Sequence, residues 1–173
     1  DHPDHFQVCR SAREIDAATD AGALAAVLHL EGAEPVSPAL TELDSFYAMG
    51  VRSIGPLWSR PNAFGTGVPL SFPGSPDQGT GLTDAGKALV AACDQMNMLL
   101  DVSHLNEAGF WDIARLTQQP LLASHSNAHA LCPSPRNLTD RQLDAVAESG
   151  GLVGVCFATA YPVSYTHLRA HET

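Results

Sequence analysis

Leu99-Leu100-Asp101-Val102-Ser103-His104 and, one helical stretch later, Leu121-Leu122-Ala123-Ser124-His125-Ser126 decide how this chain reads. Each is a short apolar run that ends in a histidine. Between them, residues 106–116 carry apolar side chains at helical spacing. Strand, helix and strand make a βαβ unit, whose two strands run parallel. In parallel α/β folds the carboxyl ends of the strands form the working face. His104 and His125 are therefore expected side by side. Neutral imidazole is the commonest protein metal ligand, so a metal site is the first reading. The plainer reading is that the two histidines merely close strand ends.

The same alternation extends on both sides. Residues 11–21 read as a helix with Ser11 as its cap and Gly22 as its stop. Residues 24–30 read as a buried strand that ends at Glu31-Gly32, a carboxylate at a strand exit. His29 shares the face of Glu31 in a strand. A helix over 38–49 and a strand over 51–58 follow. Residues 59–81 are rich in Gly, Pro, Ser and Asn. Phe64, Leu70 and Phe72 mark them as an ordered excursion over the active face. Helices over 83–97 and 139–149, capped by Thr83 and Thr139, and a last strand over 152–158 complete the series. Five apolar strands separated by helices, with no hairpin signal, predict a parallel sheet. The fold class is α/β, a partial TIM-like (β/α)8 barrel with about five of the eight strand–helix units; a whole barrel takes about 250 residues.

The 173 residues hold 19 acidic against 9 basic side chains, a formal charge of −10. So acidic a chain is a poor partner for nucleic acid or an anionic membrane surface. No apolar run has the length of a membrane span. The first residues lack the basic and apolar regions of a signal peptide, and the missing initiator Met points to a start inside a longer reading frame. Cys9, Cys93, Cys132 and Cys156 show no metal-knuckle or redox spacing. Cys93 and Cys156 read as small buried hydrophobes, and a reduced, cytoplasmic compartment is expected. Residues 163–173 break the pattern and resemble a translated sequencing adapter. They are set apart as a non-native tail behind a barrel domain over 1–162.

With Glu31, His104 and His125 lined up at strand exits, the sequence resembles the membrane (renal) dipeptidase family of zinc peptidases. The resemblance rests on Gly81-Leu82-Thr83-Asp84-Ala85-Gly86, Leu100-Asp101-Val102-Ser103-His104 and Ser124-His125-Ser126-Asn127-Ala128. Pro135-Arg136-Asn137-Leu138-Thr139-Asp140 completes the set, in that order. It implies a TIM-like barrel with a site for two Zn²⁺ ions. Glu31 matches the carboxylate that bridges both ions. His104 and His125 match the two histidines on the second ion. Arg136 matches the arginine that binds the substrate's terminal carboxylate. A bridging carboxylate holds two dications about 3.5–4 Å apart, where a shared hydroxide can form and attack a peptide carbonyl. A guanidinium fork suits a carboxylate.

The first ion of the family also takes an H-x-D pair from a first strand. No apolar strand of this chain ends in one, and His2-Pro3-Asp4 is not assigned to it. Trp58 stands where the family has a third-strand histidine, and it is expected as pocket wall. His129 shares the loop of Arg136 and is a weaker candidate for the substrate pocket. Asp101 is either a partner to the ligands or a purely structural acceptor. The activity implied for the parent protein is zinc-dependent hydrolysis of dipeptides, with a possible homodimer. Another metal-dependent amide or lactam hydrolase on the same barrel is the alternative, and this chain by itself is expected to be inactive.

Overall fold

A computed structural model describes residues 5–157. His2, Asp4 and the tail over 163–173 lie outside the described residues. The elements are β1 (Phe6–Val8), α1 (Ala12–Asp20), β2 (Leu24–Ala26), β3 (Leu28–Glu31), α2 (Leu43–Met49) and β4 (Val51–Gly55). They continue with α3 (Asp84–Met96), β5 (Leu99–Leu100), α4 (Glu107–Leu116), β6 (Leu122–Ala123), α5 (Asp140–Glu148) and β7 (Leu152–Val153). Among the described residues every strand pairing is parallel: β1 with β2, β3 with β4, β4 with β5, and β6 with β7. A bridge between Asp101 and Leu122 carries the order on from β5 to β6. β2 and β3 are separated only by Val27 and act as one strand that changes partner. Neighbours in sequence are thus neighbours in the sheet, as a partial (β/α)8 barrel requires.

Local chemistry accounts for the helices. Ser11, Thr83 and Asn106 each accept a hydrogen bond from a backbone N–H of the first turn of α1, α3 and α4. At α5, Gln142 Oε1 reaches back to accept from the Thr139 N–H at 2.8 Å. Gly50 ends α2 at φ +109°, a region that favours glycine. Leu89, Val90 and Cys93 of α3 and Phe110 and Ile113 of α4 are buried against Ile54, Leu100 and Ala123 of the sheet. Burial pushes the Cys93 thiol up to about 12, so it acts as a small apolar side chain, as expected.

Five features differ from the sequence reading. Phe6–Val8 is a strand, although it has neither the length nor the apolar run that would mark one. α2 starts at Leu43 rather than near residue 38, because Leu40 sits at φ +60° and breaks any earlier turn. The strand after it ends at Gly55 rather than residue 58. The strand over 24–30 is not buried: Leu24, Val27 and Leu28 are exposed. Cys156 is half-buried rather than core, and its backbone is tied to the Asn127 side chain.

The excursion over 59–81 is ordered, as expected. Phe64 and Val68 are buried, whereas Leu70 and Phe72 face solvent. The Val68 N–H donates to the His104 carbonyl at 2.9 Å. The buried Asn106 amide donates to the carbonyls of Gln78 and Thr80 at 2.6 and 2.7 Å. The long loop is therefore fastened at the exit of β5.

Candidate metal centre

Glu31 is the last residue of β3. The pairing of β3 with β4 slips by one residue at Leu28/His29. Such a slip bends the strand end and re-aims its side chains. Gly32 follows at φ +93°, which turns the chain sharply away behind the carboxylate. His104 lies four residues past β5 with φ +71°. A non-glycine residue there is uncommon, and such strain collects at functional sites. His125 lies two residues past β6, its backbone N–H donating to Ser103 Oγ at 3.1 Å.

These three strand exits bring three donor atoms together. His104 Nε2 is 2.9 Å from Glu31 Oε1 and 2.9 Å from His125 Nε2. His125 Nε2 is 3.2 Å from the same carboxylate oxygen. The two rings meet edge to face with centroids 4.9 Å apart. His104 is buried, His125 half-buried, and the Glu31 carboxylate open to solvent. Burial, reinforced by the Arg136 guanidinium, pushes the His104 ring down to about 4, although Glu31 pulls the other way. A ring that stays neutral at pH 7 is the form that ligates metal. Two imidazoles and a carboxylate with one open side fit a catalytic zinc-type site.

The other expected residues fall as follows. Arg136 is buried, and its Nη2 donates to the His125 carbonyl at 2.9 Å. Trp58 is half-buried, with its ring centroid 6.0 Å from that of His104. The Arg60 guanidinium lies over the Trp58 ring and pairs with Glu34 at 3.0 Å. His129 does not join the cluster; its Nε2 meets the Gly74 carbonyl at 3.0 Å and holds the long loop. His29 also stays outside it. Its Nδ1 is 3.0 Å from Ser53 Oγ and its Nε2 is 3.6 Å from Asp101 Oδ2. Among the described residues, Glu31, His104 and His125 form the single group able to hold a metal ion.

Sequence reasoning missed the serines. Ser59 Oγ lies 2.8 Å from His104 Nδ1, and Ser124 Oγ lies 2.7 Å from His125 Nδ1. Ser124 Oγ also contacts the buried Asp101 carboxylate. Only Ser124 stands next in sequence to the histidine it meets; Ser59 lies 45 residues from His104.

Comparison with known proteins bears on this geometry. The profile of the membrane dipeptidase family, peptidase family M19, matches residues 1–167. An uncharacterised Klebsiella pneumoniae protein from the pqqA 5′ region is 53% identical over 156 residues, covering 90% of this chain and 58% of its own length. An uncharacterised Acinetobacter calcoaceticus protein from the PQQ-III 3′ region is 50% identical over 157 residues, covering 91% and 50%. The chain thus spans about half the length of these relatives. Among solved structures, a Rhodobacter sphaeroides metallo peptidase liganded with a phosphinate mimic of the dipeptide L-Ala-D-Ala superposes with a TM-score of 0.88. It is 54% identical, and the match covers 90% of this chain and 44% of that one. The probable dipeptidase PvdM from Pseudomonas aeruginosa has a TM-score of 0.84 at 29% identity, covering 97% and 43%.

Proposed function

The chain belongs to the membrane dipeptidase family, peptidase family M19, and on that premise we propose that it is the part of a zinc-dependent dipeptidase that carries the second-ion half of the metal site. The observation that carries this reading is the convergence of Glu31 Oε1, His104 Nε2 and His125 Nε2 at the strand exits. His104, His125 and Glu31 would hold the Zn²⁺, with Glu31 as the carboxylate common to both ions of the family's site. When bound, the metal pair supplies a nucleophilic water at neutral pH and polarises the scissile carbonyl.

The remaining residues orient the substrate. Arg136 is fixed to the His125 carbonyl, which sets a guanidinium beside the centre. A planar fork there suits the free carboxylate of a dipeptide. A terminus held so close to the reacting bond favours dipeptides over long chains. Trp58 gives the pocket an apolar wall on the His104 side. The relatives' ligand chemistry points the same way: the Rhodobacter sphaeroides peptidase binds a dipeptide mimic.

The test compares a dipeptide with its C-terminal amide on the full-length protein. Hydrolysis of the free acid with little or no turnover of the amide is expected. Equal turnover of both contradicts the carboxylate clamp. Trp58 favours a second substrate class on the same centre, because an indole can donate a hydrogen bond but cannot titrate. Turnover of β-lactam or N-acyl substrates in place of L,L- and L,D-dipeptides would establish that reading instead.

A further inference from the structure

Resting on the reading of His125 as a metal ligand, we propose that Asp101, acting through Ser124, holds the His125 proton on Nδ1 and so presents Nε2 as the metal-binding lone pair. Asp101 Oδ1 accepts the backbone N–H groups of Ser103 and Ser124, each at 2.9 Å. Those donors cannot reverse. Asp101 Oδ2 is in hydrogen-bond contact with Ser124 Oγ. Burial alone would raise this carboxyl, but the hydrogen bonds from Ser124 and Ser103 hold it below its ordinary value. It is therefore a carboxylate and only accepts.

A serine hydroxyl has one hydrogen, and here it goes to Asp101. Ser124 Oγ is then an acceptor towards His125 Nδ1, 2.7 Å away. That contact needs an N–H on Nδ1. A neutral imidazole carries one N–H, so Nε2 is bare where it faces Glu31 Oε1 at 3.2 Å and His104 Nε2 at 2.9 Å. His104 has no such control: its Nδ1 meets Ser59 Oγ at 2.8 Å, and among the described residues no carboxylate stands behind Ser59. Partners of this kind fix the tautomer and orientation of ligating histidines. Asp101 is thus a positioning residue. If its role were only to tie the ends of β5 and β6 together, the identity of its second acceptor atom would be immaterial.

The test uses the full-length protein, metal-free, ¹⁵N-labelled at histidine and held above the ordinary imidazole pKa of about 6.5. Zn²⁺ alone is the probe. The His125 signals, assigned by their loss in His125→Gln, are expected to show the proton on Nδ1. In Asp101→Asn the new amide donates to Ser124 Oγ, the hydroxyl turns towards His125 Nδ1, and the proton moves to Nε2. Zn²⁺ affinity, read by competition with a chromophoric chelator, then falls about 10–100-fold. Ser124→Ala leaves both backbone bonds to Asp101 Oδ1 in place and removes only the link. It should give a mixture of tautomers with a smaller loss of affinity, and it decides the matter if Asp101→Asn fails to fold. A wild-type His125 protonated on Nε2, or folded variants that keep both the tautomer and the Zn²⁺ affinity, would overturn the proposal. An inactive wild type with the Nδ1 proton and tight Zn²⁺ binding would overturn the dipeptidase reading alone.

Discussion

Arg136 and Asp101 are the two buried charges that govern the centre, and they act differently. Arg136 reaches the His125 carbonyl with one arm of its fork. Lysine keeps the charge but not the planar pair of donors. Arg136→Lys is expected to raise KM for a dipeptide about tenfold or more with Zn²⁺ affinity unchanged; steady-state kinetics beside chelator competition checks it. Asp101 is held below its ordinary value in the fold. Its stabilisation is therefore fully present above the unfolded carboxyl value of 3.8 and is lost as pH falls through the lower folded value. Metal-free Asp101→Asn should be less stable than wild type by about 1–3 kcal/mol at neutral pH. That gap should close below pH 3.8, as urea midpoints across pH would show. A gap that widens in acid would reverse the sign of the argument.

At the scale of the elements, the junction of loop and helix matters most. Asn106 caps α4 with its Oδ1 and fastens the long loop with its Nδ2, and it is fully buried. Asn106→Ala removes the cap and leaves two loop carbonyls without their donor. A loss of about 2–3 kcal/mol is expected, with faster amide exchange over residues 78–80. Thr139→Ala, at a cap that carries no loop, should cost about 1 kcal/mol. The caps at Ser11, Thr83 and Thr139 were legible in the sequence, since Ser and Thr stand directly before helical spacing; the double role of Asn106 was not. Glu31, His104 and His125 were legible for a similar reason: each closes an apolar run. The Ser59, Asp101 and Ser124 contacts were not, because they depend on side-chain rotamers and on a left-handed turn at His104 that no local propensity announces. β1 was hidden because three residues with a polar centre carry no period. α2 was overextended because the spacing from Leu40 to Tyr47 is helical, although Leu40 itself adopts φ +60°.

The whole molecule is a parallel array that leaves apolar side chains uncovered near both ends of the described residues. Leu24 is 67% exposed, and Leu152, Val155 and Phe157 are 65%, 63% and 88% exposed. Exposed strand edges with apolar side chains pair with other chains. The 173-residue chain on its own is expected to self-associate and to show no turnover; light scattering and a dipeptide assay check this, and a monodisperse, active product would contradict it. The relatives are about twice as long as the matched segment, and the dipeptidase activity proposed above is proposed for a protein of that length. The most direct measurement of the central claim is dipeptide turnover by that protein before chelation, after prolonged chelation, and after return of Zn²⁺. Loss of turnover on chelation and its recovery with Zn²⁺ are predicted, with no recovery in His125→Ala. Turnover that survives complete removal of metal would contradict the account.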